Sequence, residues 1–177
     1  MISEPEQGTA QGFTLVEILV VVLLMGLVAS LLVANQVGSS RRQALQVSVS
    51  ELFGLMQAAS EQAVLDNQEM GLEVDGRHYR FLVYDEFQSQ WRVAADRIYR
   101  ERSLPPATTI RQTTDSVPPR LSDDAGTPQP DIVFFSSGET TPFRLELQGN
   151  ADDVARYVIA SDGFQPMTLV RPGGEGS

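Results

Sequence analysis

The chain of 177 residues contains no cysteine and no lysine, and all 13 of its basic residues are arginine. The absence of cysteine excludes disulfide bonds, thiolate zinc sites and cysteine nucleophiles. Histidine occurs once, at His78, so a triad or metal site built on it would need partners that the fold brings from elsewhere, and no motif signals them.

Positive charge is scarce as well. The chain has 23 acidic residues against 13 arginines, a formal net charge of -10 and a pI near 4.5. A phosphate backbone recruits lysine and arginine, so we expect no nucleic-acid partner. The length suits one modest domain and an anchor, because about 140 residues remain outside the N-terminal apolar region.

The longest apolar run lies near the N-terminus, from Ile18 to Ala34, and is apolar on every face apart from Ser30. The 22 residues from Phe13 to Ala34 would form about 33 Å of helix, enough to cross a bilayer core. Apolar character on every face argues against a buried helix of a soluble domain. A cleaved secretory signal would have a basic n-region, whereas residues 1–12 contain two glutamates and no arginine.

Glu17 lies one turn inside this segment. A carboxylate in a lipid-buried helix is costly, roughly 2.5–3.5 kcal/mol for Asp at a helix centre and less near the interface, so by default it marks function. Arg41 and Arg42 flank the other end, which the positive-inside rule alone would place in the cytoplasm.

A second helical pattern follows and ends near Asp66-Asn67. Its apolar residues repeat at steps of four and three, which predicts one core-facing stripe on an amphipathic helix that continues the anchor. The stripe consists of Leu45, Val49, Leu52, Met56, Ala59 and Ala63.

After Asn67 the apolar period changes to two, and Asp75-Gly76 between two alternating runs predicts a hairpin. Residues 114–130 hold four prolines, three aspartates and one glycine, which predicts a flexible loop. One N-terminal helix followed by short strands predicts an α+β fold, with the helix packed on antiparallel sheets. The predicted strands cover residues 72–74, 79–84, 90–94, 108–113, 132–135, 143–147, 156–160 and 167–170.

The sequence Gly12-Phe13-Thr14-Leu15-Val16-Glu17, followed at once by the apolar run, resembles the class III signal of type IV pilins and type II secretion pseudopilins. In that family a prepilin peptidase cuts after the glycine and methylates the new N-terminal phenylalanine. The acidic side chain meets the N-terminal amine of a neighbouring subunit. The resemblance therefore implies cleavage between Gly12 and Phe13, N-methylation of Phe13, and a role for Glu17 in subunit assembly. It also places the body of the protein outside the cytoplasm, against the positive-inside rule.

Within these proteins the chain is similar to the minor pseudopilin H (GspH/FimT-type) family. Residues 132–147 resemble that family's strand, glycine turn and strand, and residues 157–169 resemble its closing hairpin. The implied function is that of a non-enzymatic, pilin-like subunit in the pseudopilus tip complex, which supports export of folded proteins across the outer membrane. No cofactor or metal is implied. The implied partners are minor pseudopilins of I, J and K type, the major pseudopilin, prepilin peptidase, the inner membrane, secreted proteins and the outer-membrane secretin.

Pattern and resemblance together divide the chain into five parts. The protein would cross the cell inner membrane once, with its C-terminal domain in the periplasm. The parts are a leader at 1–12, a transmembrane helix at 13–37, an amphipathic helix at 38–67, a β domain at 68–171 with the flexible loop 114–130, and a disordered tail at 172–177.

Several residues that could carry chemistry have a simpler interpretation as surface. His78 is predicted to be a solvated strand residue. The aspartates at positions 115, 123, 124 and 131 could bind calcium, but their spacing does not match the alternating-ligand loop, so a solvated acidic loop is preferred. Ser136-Ser137-Gly138 is not a nucleophile elbow and is predicted to be a turn.

Two charged segments are interpreted in the same way. Asp152-Asp153 is predicted to be a turn or a helix cap. Arg97, Arg100 and Arg102 alternate with acidic neighbours, which favours a salt-bridged surface over a nucleic-acid interface.

Three other functions stay open. A minor pilin of a type IV pilus shares the domain type, and a DNA-uptake version would be expected to show a basic surface. A membrane-anchored periplasmic enzyme would need a cluster of acid and base side chains. An anchored binding module would need a deep apolar pocket.

Processing of the leader is directly testable. We expect the intact mass of the chain, taken from membranes of cells that contain prepilin peptidase, to lack residues 1–12 and to carry one added methyl group on Phe13. The same measurement in cells without the peptidase should give the uncut mass. An uncut chain in both would remove the pseudopilin interpretation and reopen the membrane orientation.

Overall fold

The computed structural model describes residues 15–106, 108–113, 128–149 and 156–173, with the side chains of residues 31–39 excepted. The chain divides into two compact units, Met1–Ser40 and Arg41–Ser177. The predicted leader 1–12 lies outside the described residues, as do most of the loop 114–130 and of the tail 172–177.

The described residues form one α-helix, nine β-strands and one short 3-10 turn. The helix, α1, runs from Leu15 to Asp66, and the 3-10 turn spans Arg97–Tyr99. The strands are β1 Met70–Asp75, β2 His78–Asp85, β3 Gln90–Val93, β4 Arg102–Ser103, β5 Thr109–Thr113, β6 Ile132–Phe134, β7 Phe143–Gln148, β8 Arg156–Ser161 and β9 Thr168–Val170.

The strands form two antiparallel sheets. The first has the order β3-β2-β1-β6, and β4 pairs with the opening residues of β2 on the edge that β3 also uses. The second has the order β5-β7-β8-β9. The hairpin predicted at Asp75-Gly76 joins β1 to β2 in the expected register, with Val74 opposite Tyr79. The predicted α+β fold, a long N-terminal helix packed on antiparallel sheets, is confirmed.

The apolar stripe of α1 is the centre of the core. All six predicted stripe residues are buried, with exposed fractions of 0 to 3%. They pack in one cluster with residues of the first sheet, such as Leu72 and Phe81, and of the second, such as Leu145 and Ile159. Fully burying a side chain of Leu or Met size contributes about 1.5–3 kcal/mol, so this stripe is a major source of stability for the folded unit.

The first sheet is covered on both faces. Leu82, Trp91 and Val133 form a second, smaller cluster apart from the helix-facing core, with Tyr84 and Phe135 packed against it. Gly71 lies under this cluster, because a Cβ there would approach Pro130 Cβ to 2.5 Å and Trp91 Cζ3 to 3.3 Å. The sequence analysis did not anticipate this cluster. The uninterrupted apolar run Phe81-Leu82-Val83-Tyr84 is the signal that could have revealed it, since strands buried on both faces lose their alternation.

The β8–β9 turn depends on Gly163. Its φ is +98°, a region that L side chains rarely adopt, and an added Cβ would lie 2.8 Å from the backbone oxygen of Thr140. The backbone oxygen of Gly163 in turn accepts a hydrogen bond of 2.8 Å from the Thr140 N–H. The turn and the β6–β7 connection are therefore held in close backbone contact.

We expect Gly163→Ala to lower the free energy of unfolding by more than Gly76→Ala. Both glycines have positive φ, which costs an alanine about 1–2 kcal/mol. Only Gly163 adds a steric contact, because nothing lies within 4 Å of a Cβ at Gly76. Urea unfolding followed by the fluorescence of Trp91, the one tryptophan, measures both values. Equal decreases in the free energy of unfolding for the two variants would show that the contact with Thr140 does not contribute to stability.

Candidate functional site

Of the residues predicted to carry function, the structure describes Glu17. Gly12 and Phe13 lie outside the described residues, so the cleavage and methylation site stays a prediction. Glu17 lies in the first turn of α1, and it is the one ionisable residue from Leu15 to Ser30. A carboxylate in the first turn is favoured by the helix dipole.

The helix around Glu17 presents apolar side chains on every side. The large apolar residues from Leu15 to Val28 are all exposed, with Leu15 at 81% and Val21, the least exposed, at 41%. The hydroxyl of Ser30 is satisfied within the helix, since its Oγ donates to the backbone oxygen of Leu27 at 2.8 Å. This segment therefore offers a continuous apolar surface with a single carboxylate near one end.

Within the part of the chain that the structure describes, no helix is both long enough and apolar enough to span a membrane.

Arg102 connects the segment after β3 to the helix. Its Nε donates to Glu51 Oε1 at 2.9 Å, and its Nη1 donates to the backbone oxygens of Ile98 at 2.6 Å and Arg100 at 3.1 Å. The side chain is 16% exposed. The salt-bridged interpretation of this arginine-rich segment is confirmed for Arg102, which holds the 3-10 turn and β4 against α1.

Tyr79 lies buried beside this ion pair. Burial, and after it the negative charge of Glu51, raises the pKa of Tyr79 to about 12, while the Arg102 guanidinium opposes the rise. The phenol therefore stays protonated at all physiological pH values and acts as part of the core.

His78 lies at the exposed start of β2. Its Nδ1 is 3.7 Å from Glu101 Oε1, and the two side chains are 57% and 59% exposed. Beside them is an open hollow lined by charged side chains, including Glu73 and Arg80. Arg80 Nε donates a hydrogen bond of 2.6 Å to Glu73 Oε2. This exposed, charged surface differs from the largely apolar pockets that bind small molecules.

The calcium hypothesis finds no support in the part of the chain that the structure describes. Asp115, Asp123 and Asp124 lie outside it, and no group of three or more His, Asp or Glu side chains within it could hold a metal ion. Asp131 is hydrogen-bonded to β1 through its side chain and its backbone. Its Oδ2 accepts a hydrogen bond of 2.8 Å from the Val74 N–H, and its own N–H donates to Leu72 O at 2.8 Å.

The environment of Asp131 disfavours its charge. Burial raises the pKa of Asp131 above its ordinary value, the hydrogen bond from the Val74 N–H opposes this, and the Glu73 carboxylate adds to the rise. The Asp131 carboxylate thus extends the β1–β6 pairing by one hydrogen bond. Partial burial makes its charged form less favourable than it would be in water.

The predicted turn at Ser136-Ser137-Gly138 is confirmed. Gly138 has a φ of +90°, and its N–H donates to Phe135 O at 3.0 Å. Ser136 Oγ donates to Glu69 Oε1 at 3.1 Å, which ties this turn to the connection between α1 and β1 rather than to a catalytic base. Asp152-Asp153 lies outside the described residues.

Comparisons with known proteins agree with one another. The family model for the type II transport protein GspH matches residues 48–163. The chain is 32% identical over 163 residues to type II secretion system protein H of Pseudomonas aeruginosa, covering 88% of this chain and 93% of that protein. It is 27% identical over 171 residues to the protein of the same description from Aeromonas hydrophila, covering 90% and 93%.

Solved structures show the same fold. The minor pseudopilin EpsH from the type 2 secretion system of Vibrio cholerae superposes with a TM-score of 0.61 at 20% identity, over 74% of this chain and 99% of that one. The solution structure of Escherichia coli GspH gives a TM-score of 0.53 at 18% identity, over 75% and 89%.

Asp131 gives a pH-dependent prediction. A carboxyl whose folded pKa is raised contributes stability that is present below its unfolded pKa and is lost as the pH rises through its folded pKa. Asn at this position keeps an acceptor for the Val74 N–H and carries no charge. We therefore expect the free energy of unfolding of Asp131→Asn, relative to the wild type, to be higher at about pH 7 than at about pH 3.5.

Urea unfolding at both pH values measures this difference. Asp75→Asn, at an exposed position on β1 next to Val74, controls for the removal of one negative charge. A relative stability of Asp131→Asn that is the same at both pH values would contradict the desolvated carboxylate.

Proposed function

The chain belongs to the family of the type II transport protein GspH, and we propose that it serves as a membrane-anchored minor pseudopilin with a structural rather than a catalytic role. The observation that carries the proposal is the helical segment from Leu15 to Ser30, whose apolar side chains are exposed and whose one ionisable residue is Glu17. Exposed apolar surface of this extent marks a site that lipid or a partner must cover.

We propose that residues 13–37 cross the inner membrane once and that the β domain lies in the periplasm. Cleavage after Gly12 would create a free amine on Phe13, and Phe13 is four residues, about one helical turn, from Glu17. The exposed apolar side chains around Glu17 support this placement, because lipid tails would cover them at no cost to other contacts.

Glu17 would act as the registering group of assembly. A carboxylate in lipid is costly, and an opposite charge nearby offsets that cost strongly because the local dielectric is low. The N-terminal amine of a neighbouring subunit would supply that charge. Each subunit would then lower the cost of the other's buried ion, which favours one axial register over the alternatives.

Membership of this family supports other pseudopilins as partners. We propose contacts with other minor pseudopilins, of I, J and K type, and with the major pseudopilin, in a tip complex that supports export of folded proteins. Prepilin peptidase would process the chain first. Secreted proteins and the outer-membrane secretin would meet the periplasmic domain. The acidic composition supports protein partners rather than nucleic acid.

The role of Glu17 can be tested with engineered disulfides. Because the chain has no native cysteine, Leu24→Cys places a single thiol on the exposed apolar face. This thiol would be cross-linked by oxidation to single cysteines placed along the anchor helices of the other pseudopilins. We expect Glu17→Ala to lower the cross-linking yield at least about tenfold, because loss of an ion pair worth roughly 1.4 kcal/mol changes an equilibrium constant by that factor. Secretion of an exported enzyme should fall with it.

Two controls make the result specific. Glu61→Ala removes an exposed carboxylate from the folded part of the same helix and should leave cross-linking unchanged. Glu17→Asp keeps the charge and should retain part of the signal. If Glu17→Ala preserved both cross-linking and secretion, the assembly role of this residue would be wrong.

A further inference from the structure

The end of the folded unit at which α1 finishes is built from four segments that hydrogen bonds hold together. The Tyr84 N–H donates to Glu69 O at 3.0 Å, Ser136 Oγ donates to Glu69 Oε1 at 3.1 Å, and the Thr140 N–H donates to Gly163 O at 2.8 Å. These contacts define one surface, which we call the distal end. It comprises residues 64–69, 84–90, 135–140 and 162–166.

The distal end carries the most exposed apolar side chains of this unit. Seven large apolar side chains are exposed among the described residues from 41 onward, and four of them lie here. Phe87 at 103%, Leu65 at 82% and Phe164 at 79% are the three most exposed of the seven. Single exposed apolar residues are ordinary, but this concentration, with both exposed aromatics at turn tips, is typical of an interface.

The same surface has charge of one sign. Its four segments contain six carboxylates and no arginine, and Arg92, from β3, pairs with Asp85 at 2.6 Å. Glu86 and Glu139, together with Asp66 and Asp162, are exposed. The distal end therefore combines protruding apolar side chains with an acidic rim.

We propose that the distal end docks a protein surface in which arginine or lysine side chains surround an apolar hollow. Complementary charge would steer the encounter and fix the register, and Phe87 and Phe164 would fill the hollow as anchors. Anionic lipid and nucleic acid carry the wrong sign of charge. A second copy that met this one distal end to distal end would bring like charges together.

That this partner belongs to the secretion machinery rests on the proposed function. The surface itself does not depend on it, because the exposed side chains and the acidic rim are features of the folded unit alone.

Site-specific photocross-linking of the full chain tests this surface. A benzophenone amino acid would replace Phe87 or Phe164 in cells that contain the complete secretion system, and Val47 and Ile98, exposed elsewhere on the unit, would be the control positions. We expect both distal positions, and neither control, to give one protein adduct of the same mass. The cross-linked peptide should carry arginine or lysine close to the attachment point.

Charge variants supply the second measurement. Glu86→Gln combined with Glu139→Gln should lower the adduct yield at least about fivefold, while Glu101→Gln, an exposed carboxylate outside the distal end, should leave it unchanged. Thermal unfolding of each variant checks that the fold is intact.

The outcomes separate the two proposals. An adduct with a basic protein outside the secretion system would support the docking surface and contradict the proposed pathway. Anchor cross-links to pseudopilins without any distal adduct would leave the proposed function standing and overturn the docking surface. Adducts to lipid, to a second copy of this chain, or equally from the control positions would overturn it too.

Discussion

Burial of one apolar stripe of α1 is the interaction on which the folded unit depends. Leu52 and Met56, at the middle of the stripe, contribute to a cluster that includes side chains of both sheets. The helix contributes the side chains that pack against the apolar face of each sheet. The stripe therefore fixes the position of each sheet. Glu51, on the same helix but outside the stripe, holds the 3-10 turn and β4 through its ion pair with Arg102.

The apolar side chains of the same helix form two groups, one buried by the rest of the chain and one exposed. The stripe residues are buried almost completely by contacts within the chain. The apolar residues from Leu15 to Val28 are exposed, so contacts within the chain do not bury them. This difference is the physical basis of the proposed assembled or membrane-embedded role.

Periodicity predicted the elements that depend on neighbouring residues in the chain. The stripe was predicted residue by residue because a helix repeats every 3.6 residues, and the hairpin at Asp75-Gly76 because turn chemistry is local. β4 was missed because two residues carry no period. The cluster around Trp91 was missed because its members come from β2, β3 and β6, and only pairing brings them together. The raised pKa of Asp131 was equally invisible, since its desolvation and its Val74 partner arise from distant segments.

The sequence by itself determined the α+β class, the exposed character of the N-terminal segment, the position of Glu17 within it, and the family to which the chain belongs. These are consequences of composition, local periodicity and a short contiguous motif. Only the tertiary structure decided that Arg102 is held by Glu51, that the Asp131 carboxylate accepts a hydrogen bond from β1, and that Phe87, Phe164 and an acidic rim share one end of the folded unit. Each of these depends on contacts between segments far apart in the chain, which sheet pairing and helix packing create and which no local pattern encodes.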